Sequence, residues 1–169
     1  MSHQRNIRPA TIEDIELIRS LIFQIWPATY QNILSKEQTD YMLDMMYSPT
    51  SLLTQFAEGV TFILVYEDAL PIGFAAYKKT AATIYKLEKI YILANQQGKG
   101  TGQFIMEFLM EKLCRNKGEF LQLQVNRYNV NAKAFYEKLG FAVIQEADFD
   151  IGNGFFMNDY VMEKKLKCE

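Results

Sequence analysis

Three of the chain's nine glycines fall between residues 98 and 102, in Gln97-Gly98-Lys99-Gly100-Thr101-Gly102. A β-branched and aromatic segment, Thr83 to Leu93, comes just before, and Phe104, Ile105, Phe108, Leu109 and Leu113 follow at helical period. That is strand, glycine loop, helix, a junction of mixed α/β folds. Glycines there let backbone N–H groups approach a phosphate closely, and the helix N-terminus adds unpaired donors and a positive dipole end. A pyrophosphate is the ligand this junction suits, with an ordinary strand-to-helix turn as the alternative. The loop departs from two nucleotide fingerprints. Lys99 is followed by Gly100 rather than the Ser or Thr of a Walker A loop, and position 103, where a dinucleotide fingerprint needs glycine, is Gln.

The rest of the chain reads around this junction. Asn6 to Arg8 is a short extended start. Thr11-Ile-Glu-Asp14 caps a helix carrying Ile15, Ile18, Leu21 and Ile22, which breaks near Pro27. Ser35-Lys-Glu-Gln38 fits a capping box that opens a second helix, and another turn or two follows Pro49. Thr61 to Tyr66 and Ile72 to Tyr77 form a hairpin around Glu67 to Leu70. Beyond the loop helix, which Gly118 closes at its C′ position, come a strand Phe120 to Val125 and a short helix Asn131 to Leu139 ended by Gly140. Strands Phe141 to Gln145 and Phe155 to Lys165 complete the chain. No linker or repeat interrupts the 169 residues, so one domain spans 1–169.

Composition excludes several classes. Eighteen Lys and Arg against 20 Asp and Glu give a charge of -2, which supplies no electrostatic footprint for nucleic acid or an anionic membrane. The longest uncharged stretch, Ser20 to Ser35, contains Pro27 and falls short of a membrane span, and the start MSHQRNIRPA has no apolar h-region, so a cytoplasmic location is expected. The lone His3 sits in a mobile terminus, and Cys114 and Cys168, far apart in sequence, are expected as free thiols. Zinc sites and His-dependent nucleophilic catalysis are thereby disfavoured, and no metal is expected. Catalysis would run on carboxylates, hydroxyls and a bound cofactor.

A second pattern, Asn131-Ala-Lys-Ala-Phe135-Tyr136-Glu-Lys-Leu-Gly140-Phe141, follows one strand after the loop helix. Together the two resemble the GNAT superfamily of N-acetyltransferases. Gln97, Gly100 and Gly102 match its coenzyme A pyrophosphate motif, Arg/Gln-x-x-Gly-x-Gly/Ala, and Asn131 to Phe141 matches its second motif. The resemblance covers residues 83 to 145. Weaker similarity in Thr29 to Pro49 and Leu87 to Ile92 points toward bacterial polyamine acetyltransferases.

The resemblance implies a mixed, mostly antiparallel sheet of about 6–7 strands with about four helices, splayed between the strand before the loop and the next. It implies acetyl-CoA as co-substrate, held by Gln97, Gly98, Lys99, Gly100, Thr101 and Gly102 at the pyrophosphate. Ile92 and Leu93 would serve the pantetheine arm through their backbones, and Asn131 would orient that arm or cap its helix. Tyr136 would protonate the departing thiolate; its place in an apolar i, i+3, i+4, i+7 stripe leaves a purely packed tyrosine open. Glu88, on the face of Ile92 if no bulge intervenes, would take the substrate's proton, or would be a solvated acid paired with Lys86 or Lys89. The partner is a small-molecule amine, and a homodimer is compatible with this reading. A polyamine is favoured because Glu37, Asp40, Asp44 and Glu58 outnumber Lys36 between Tyr30 and Glu58. The other readings are a protein N-terminal or lysine acetyltransferase and a non-catalytic acyl-coenzyme A module.

Overall fold

The computed structural model describes residues 3–169. Seven strands form one sheet in the order β1-β2-β3-β4-β5-β7-β6. They are β1 (Arg5–Pro9), β2 (Thr61–Glu67), β3 (Leu70–Lys79), β4 (Ile84–Ile92), β5 (Phe120–Asn126), β6 (Ala142–Gly152) and β7 (Phe155–Lys165). The described helices are α1 (Ile15–Tyr30), α2 (Lys36–Tyr47), α3 (Pro49–Ala57), α4 (Thr101–Arg115) and α5 (Val130–Lys138). This is the expected mixed, mostly antiparallel sheet, with β4 running parallel to β5. It carries one helix more than expected, because Pro49 at the first helical position and the Ser48 cap start a full helix rather than a turn. The chain divides into two compact units, one comprising the residues up to Lys78 with Lys89–Leu109, the other Lys79–Glu88 with Met110–Glu169.

In the first unit β1 pairs antiparallel with β2, and β2 turns into β3 through Asp68 and Ala69, both at positive φ (49° and 71°) as a tight two-residue hairpin turn demands. The Thr11 side chain and Asp14 cap the chain reciprocally, at a short 3-10 turn (Ile12–Asp14) that leads into α1. Helix α1 does not break at Pro27 but runs through it. Pro27 lies on the exposed side, where water can satisfy the carbonyl it leaves unbonded, while its neighbour Trp26 is buried against the rings of Tyr30, Tyr47 and Tyr91. Burial of that indole offsets a proline penalty of about 3 kcal/mol. His3 is likewise not loose, since its Nδ1 lies 2.6 Å from Asp68 Oδ2.

The second unit pairs β5 with β7 and β7 with β6 in long antiparallel ladders over a core of Leu121, Leu123, Val125 and Met162. The parallel β4–β5 ladder is short, Ile84 to Leu87 against Phe120 to Leu123, so Glu88 and the end of β5, Gln124 to Asn126, lie beyond it. Helix α4 ends in a Schellman motif one residue earlier than expected. Lys117 rather than Gly118 takes the left-handed conformation (φ 63°), and the Gly118 N–H closes on the Leu113 carbonyl at 2.8 Å. Asn129, not Asn131, caps α5, its Oδ1 accepting from the Ala132 N–H, because the helix begins one residue before the sequence pattern suggests. The cysteines are not free thiols. Cys114 and Cys168 form a disulfide, Cα to Cα 5.4 Å, despite a sequence separation of 54. After β7 the chain returns to bond Glu119 O through the Leu166 N–H, which brings the tail to the C-terminal end of α4.

Candidate active site

Strand β4 delivers the chain to the glycine loop in the first unit. Its last residues lie very close to β3: a Cβ on Gly73 would stand 2.5 Å from the Tyr91 carbonyl oxygen, so only glycine permits this approach. The Leu93 N–H then bonds Ile72 O at 2.9 Å, and Gln97 Nε2 donates back to Ile92 O at 3.1 Å. A 3-10 turn (Ala94–Gln96) leads into Gly98 and Gly100, at φ 74° and 81°. A Cβ on Gly98 would meet nothing within 4 Å, and one on Gly100 only Arg5 Nη1 at 4.0 Å. Both glycines are therefore required by backbone conformation while their outer side stays open to a ligand.

Residues from the loop's two ends hold it in shape. Thr101 is buried and its hydroxyl donates to Gln96 O at 3.3 Å, closing the loop onto the first turn of α4. Arg5, which precedes the extended start expected at Asn6 to Arg8 and was given no role, donates from Nη2 to Lys99 O at 2.6 Å and faces Glu67 at 3.6 Å. A guanidinium thus stands beside the loop, although the motif itself carries Gln97 where arginine is frequent. Residues Ile92, Leu93, Gln97, Gly98, Lys99, Gly100, Thr101 and Gly102 form one continuous segment of this unit, with the Lys99 side chain exposed. The first-turn N–H groups of α4 have no intrahelical acceptor by helix geometry, so the assembly can bind a diphosphate.

The second unit carries Glu88, Asn131 and Tyr136. Burial alternates from Ile84 to Lys89, and the alternation stops over Ile90, Tyr91 and Ile92. Glu88 Oε2 lies 3.6 Å from Lys86 Nζ, which also donates to Gln124 Oε1 at 3.1 Å. Tyr136 is buried on α5, its ring 5.3 Å from Phe135 and 5.7 Å from Phe141. Asn131 is exposed on the first turn of α5. The motif's Phe-Tyr pair and the Gly140-Phe141 closure therefore make one aromatic contact set that fixes the tyrosine ring.

Sequence reasoning also missed Asp159. It is only 3% exposed, and burial lifts its pKa to about 6 against the opposing pull of Lys86 and Arg127. It shares its side of β7 with Val161 and Glu163, opposite the side that buries Met162, so the alternation of the strand carried no signal for it. The acids named for polyamine recruitment belong to the first unit. Glu37, Asp40 and Asp44 lie exposed on α2, and Asp40 is paired with Lys36 at 2.7 Å. Among the described residues no three His, Cys, Asp or Glu side chains gather into a metal site, and no helix is long and apolar enough to cross a membrane.

Residues 30–164 match the model of a GNAT acetyltransferase domain. A spermidine N(1)-acetyltransferase of Thermoplasma acidophilum is 28% identical over 95% of this chain and 97% of its own. The crystal structure of the PaiA N-acetyltransferase of Thermoplasma acidophilum, in complex with coenzyme A, superposes with a TM-score of 0.81 at 27% identity, over 98% of this chain and 99% of that one. The ribosomal-protein-S18-alanine N-acetyltransferase of Escherichia coli, 16% identical with a TM-score of 0.75 over 98% and 96% of the two chains, shares the fold.

Proposed function

The chain belongs to the GNAT acetyltransferase family, and on that premise we propose that it transfers an acetyl group from acetyl-coenzyme A to a polyamine by direct attack within a ternary complex. The observation that carries the reading is the loop of positive-φ glycines, open on its outer side, at the N-terminus of α4. Acetyl-coenzyme A supplies the activated thioester, and the family model running over residues 30–164 supports one acetyltransferase domain. A cytoplasmic site of action goes with that co-substrate.

Each residue then has a stated task. Gly98 to Gly102 and the first turn of α4 hold the diphosphate through backbone N–H groups, with the Lys99 ammonium adding charge and Gln97 bracing the strand end through Ile92 O. The backbone of Ile92 and Leu93 receives the pantetheine arm, and the exposed Asn131 orients it. Glu88 accepts a proton of the substrate nitrogen through water, so that the nitrogen which attacks the thioester carbon ends as a neutral amide. The carbon–sulfur bond breaks, and Tyr136 gives its phenolic proton to the departing sulfur. Proximity within the complex supplies much of the acceleration. No Cys–His pair stands ready to carry the acetyl group covalently, since both cysteines lie in the disulfide and the one histidine is bonded to Asp68.

The polyamine assignment draws on the 28% identical spermidine N(1)-acetyltransferase and on the acids of α2. The Lys36–Asp40 pair leaves Glu37 and Asp44 as that helix's unneutralised acids, which narrows the recruiting set. Thiol release from acetyl-coenzyme A, measured with spermidine, spermine, a neutral amine and an alanine-initiated peptide, tests it. Turnover of the polyamines is expected. Efficient acetylation of the peptide with none of the polyamines would discard the polyamine and leave acetyl transfer standing.

A further inference from the structure

One side of the sheet in the second unit is polar, and the strand register says which residues share it. Asn126 lies opposite Asp159, and Gln124 opposite Val161, in the β5–β7 ladder, so these four side chains project to one side. The Lys86–Gln124 hydrogen bond places Lys86 on that side, and Glu88 follows it two residues along β4.

Asp159 is 3% exposed there, and the cations facing it spend their hydrogen bonds elsewhere. Lys86 turns to Gln124 and Glu88; Arg127, just after β5, bonds Glu146 at 2.6 Å and Asp148. From β6 the uncharged Ala147 stands opposite Asp159, with Glu146 and Asp148 turned to Arg127. No side chain among the described residues donates a hydrogen bond to the Asp159 carboxyl, which has room for about four donors. A buried carboxylate left in this state is unfavourable until a cation or an N–H donor completes it.

We propose that Asp159 binds the ammonium of the acceptor amine and takes its first proton, as a second catalytic carboxylate in addition to Glu88. This rests on the acetyltransferase reading given above. The ammonium N–H bond breaks, an O–H bond forms on Asp159, and the freed lone pair attacks the thioester carbon; the proton leaves Asp159 for solvent once product has departed. After the attack the same nitrogen still has a proton to lose; Glu88 accepts it through water and it returns to the Tyr136 phenolate, so that amide and thiol both leave neutral. A pKa near 6 suits this task better than that of a solvated aspartate, because a base works best when its proton affinity is close to the working pH, and Lys86 and Arg127 keep it ionised at neutrality.

The test follows kcat/KM for spermidine against pH in the wild type, Asp159→Asn, Asp159→Glu and Glu88→Gln, with calorimetric binding of acetyl-coenzyme A and of spermidine alone. The wild type should show an acid limb near pH 6 that Asp159→Asn abolishes, with kcat/KM falling ~10²-fold or more. Spermidine binding to Asp159→Asn should weaken while acetyl-coenzyme A binding stays unchanged. Asp159→Glu should restore the limb and part of the rate, and Glu88→Gln should keep it. Retention of the limb and of spermidine affinity in Asp159→Asn would overturn the proposal, as would a parallel loss of acetyl-coenzyme A binding, which marks a structural role. A wild type that transfers acetyl to no amine would instead overturn the acetyltransferase reading itself.

Discussion

Asp159 leaves a signature in stability as well as in catalysis. Its carboxyl titrates near 6 in the fold and at its ordinary value of 3.8 in the unfolded chain. A raised pKa means the folded state holds the proton more tightly, so this contribution is full below about pH 4 and is lost as pH rises through 6. Asp159→Asn removes the loss. The variant should therefore be more stable than wild type at pH 8, by up to about 3 kcal/mol, with the difference vanishing below pH 4. Urea unfolding at the two pH values reads this directly. A variant less stable at pH 8 would mean the carboxylate has a favourable partner in the fold. Asp14 and Asp68, whose carboxyls are held low by Arg8 and His3, act in the opposite sense and are common to both proteins. At Tyr136 only the hydroxyl is chemically needed, because the ring already packs against Phe135 and Phe141. Tyr136→Phe should lower kcat ~10²- to 10⁴-fold with acetyl-coenzyme A affinity unchanged. Turnover at the wild-type rate would make Tyr136 a packing residue.

At the scale of elements the glycine loop is the part on which binding depends. Gly100 at φ 81° has open space where a side chain would begin, so the obstacle to substitution is conformation, and a β-branched residue suffers most there. Gly100→Val should abolish acetyl-coenzyme A binding in calorimetry, whereas Lys99→Ala, which keeps the carbonyl that Arg5 holds, should weaken it only modestly. Unchanged affinity in Gly100→Val would remove the loop from the site. This junction was legible in the sequence because its strand, glycines and helical period are all local. The span of β7, Phe155–Lys165, and the hairpin turn at Asp68 and Ala69 were legible for the same reason. Helix α1 running through Pro27 was not, because local propensity was overridden by the burial of Trp26 against residues distant in sequence. Nor was the end of α4, where Lys117 accepts the left-handed conformation because a Cβ on Gly118 would press against Leu113 O and the Tyr85 ring.

Over the whole molecule, the groups that escaped the sequence are those defined by distant pairing. Arg5 meets Lys99 across 94 positions, Cys114 meets Cys168 across 54, and Asp159 becomes a buried acid only once β7 lies between β5 and β6. Glu88, Tyr136 and the glycines carried a motif and could be named without coordinates; Asp159 carried none. The disulfide closes a long loop, and by chain entropy it contributes about 4 kcal/mol to stability. The first unit supplies the diphosphate loop, and the second the tyrosine and both carboxylates. The most direct measurement is the initial rate of thiol release at crossed concentrations of acetyl-coenzyme A and spermidine. Saturation in both, with reciprocal plots that intersect, is expected for direct attack in a ternary complex. Parallel plots, or no spermidine-dependent release at any concentration, would contradict acetyl transfer to a polyamine by this route.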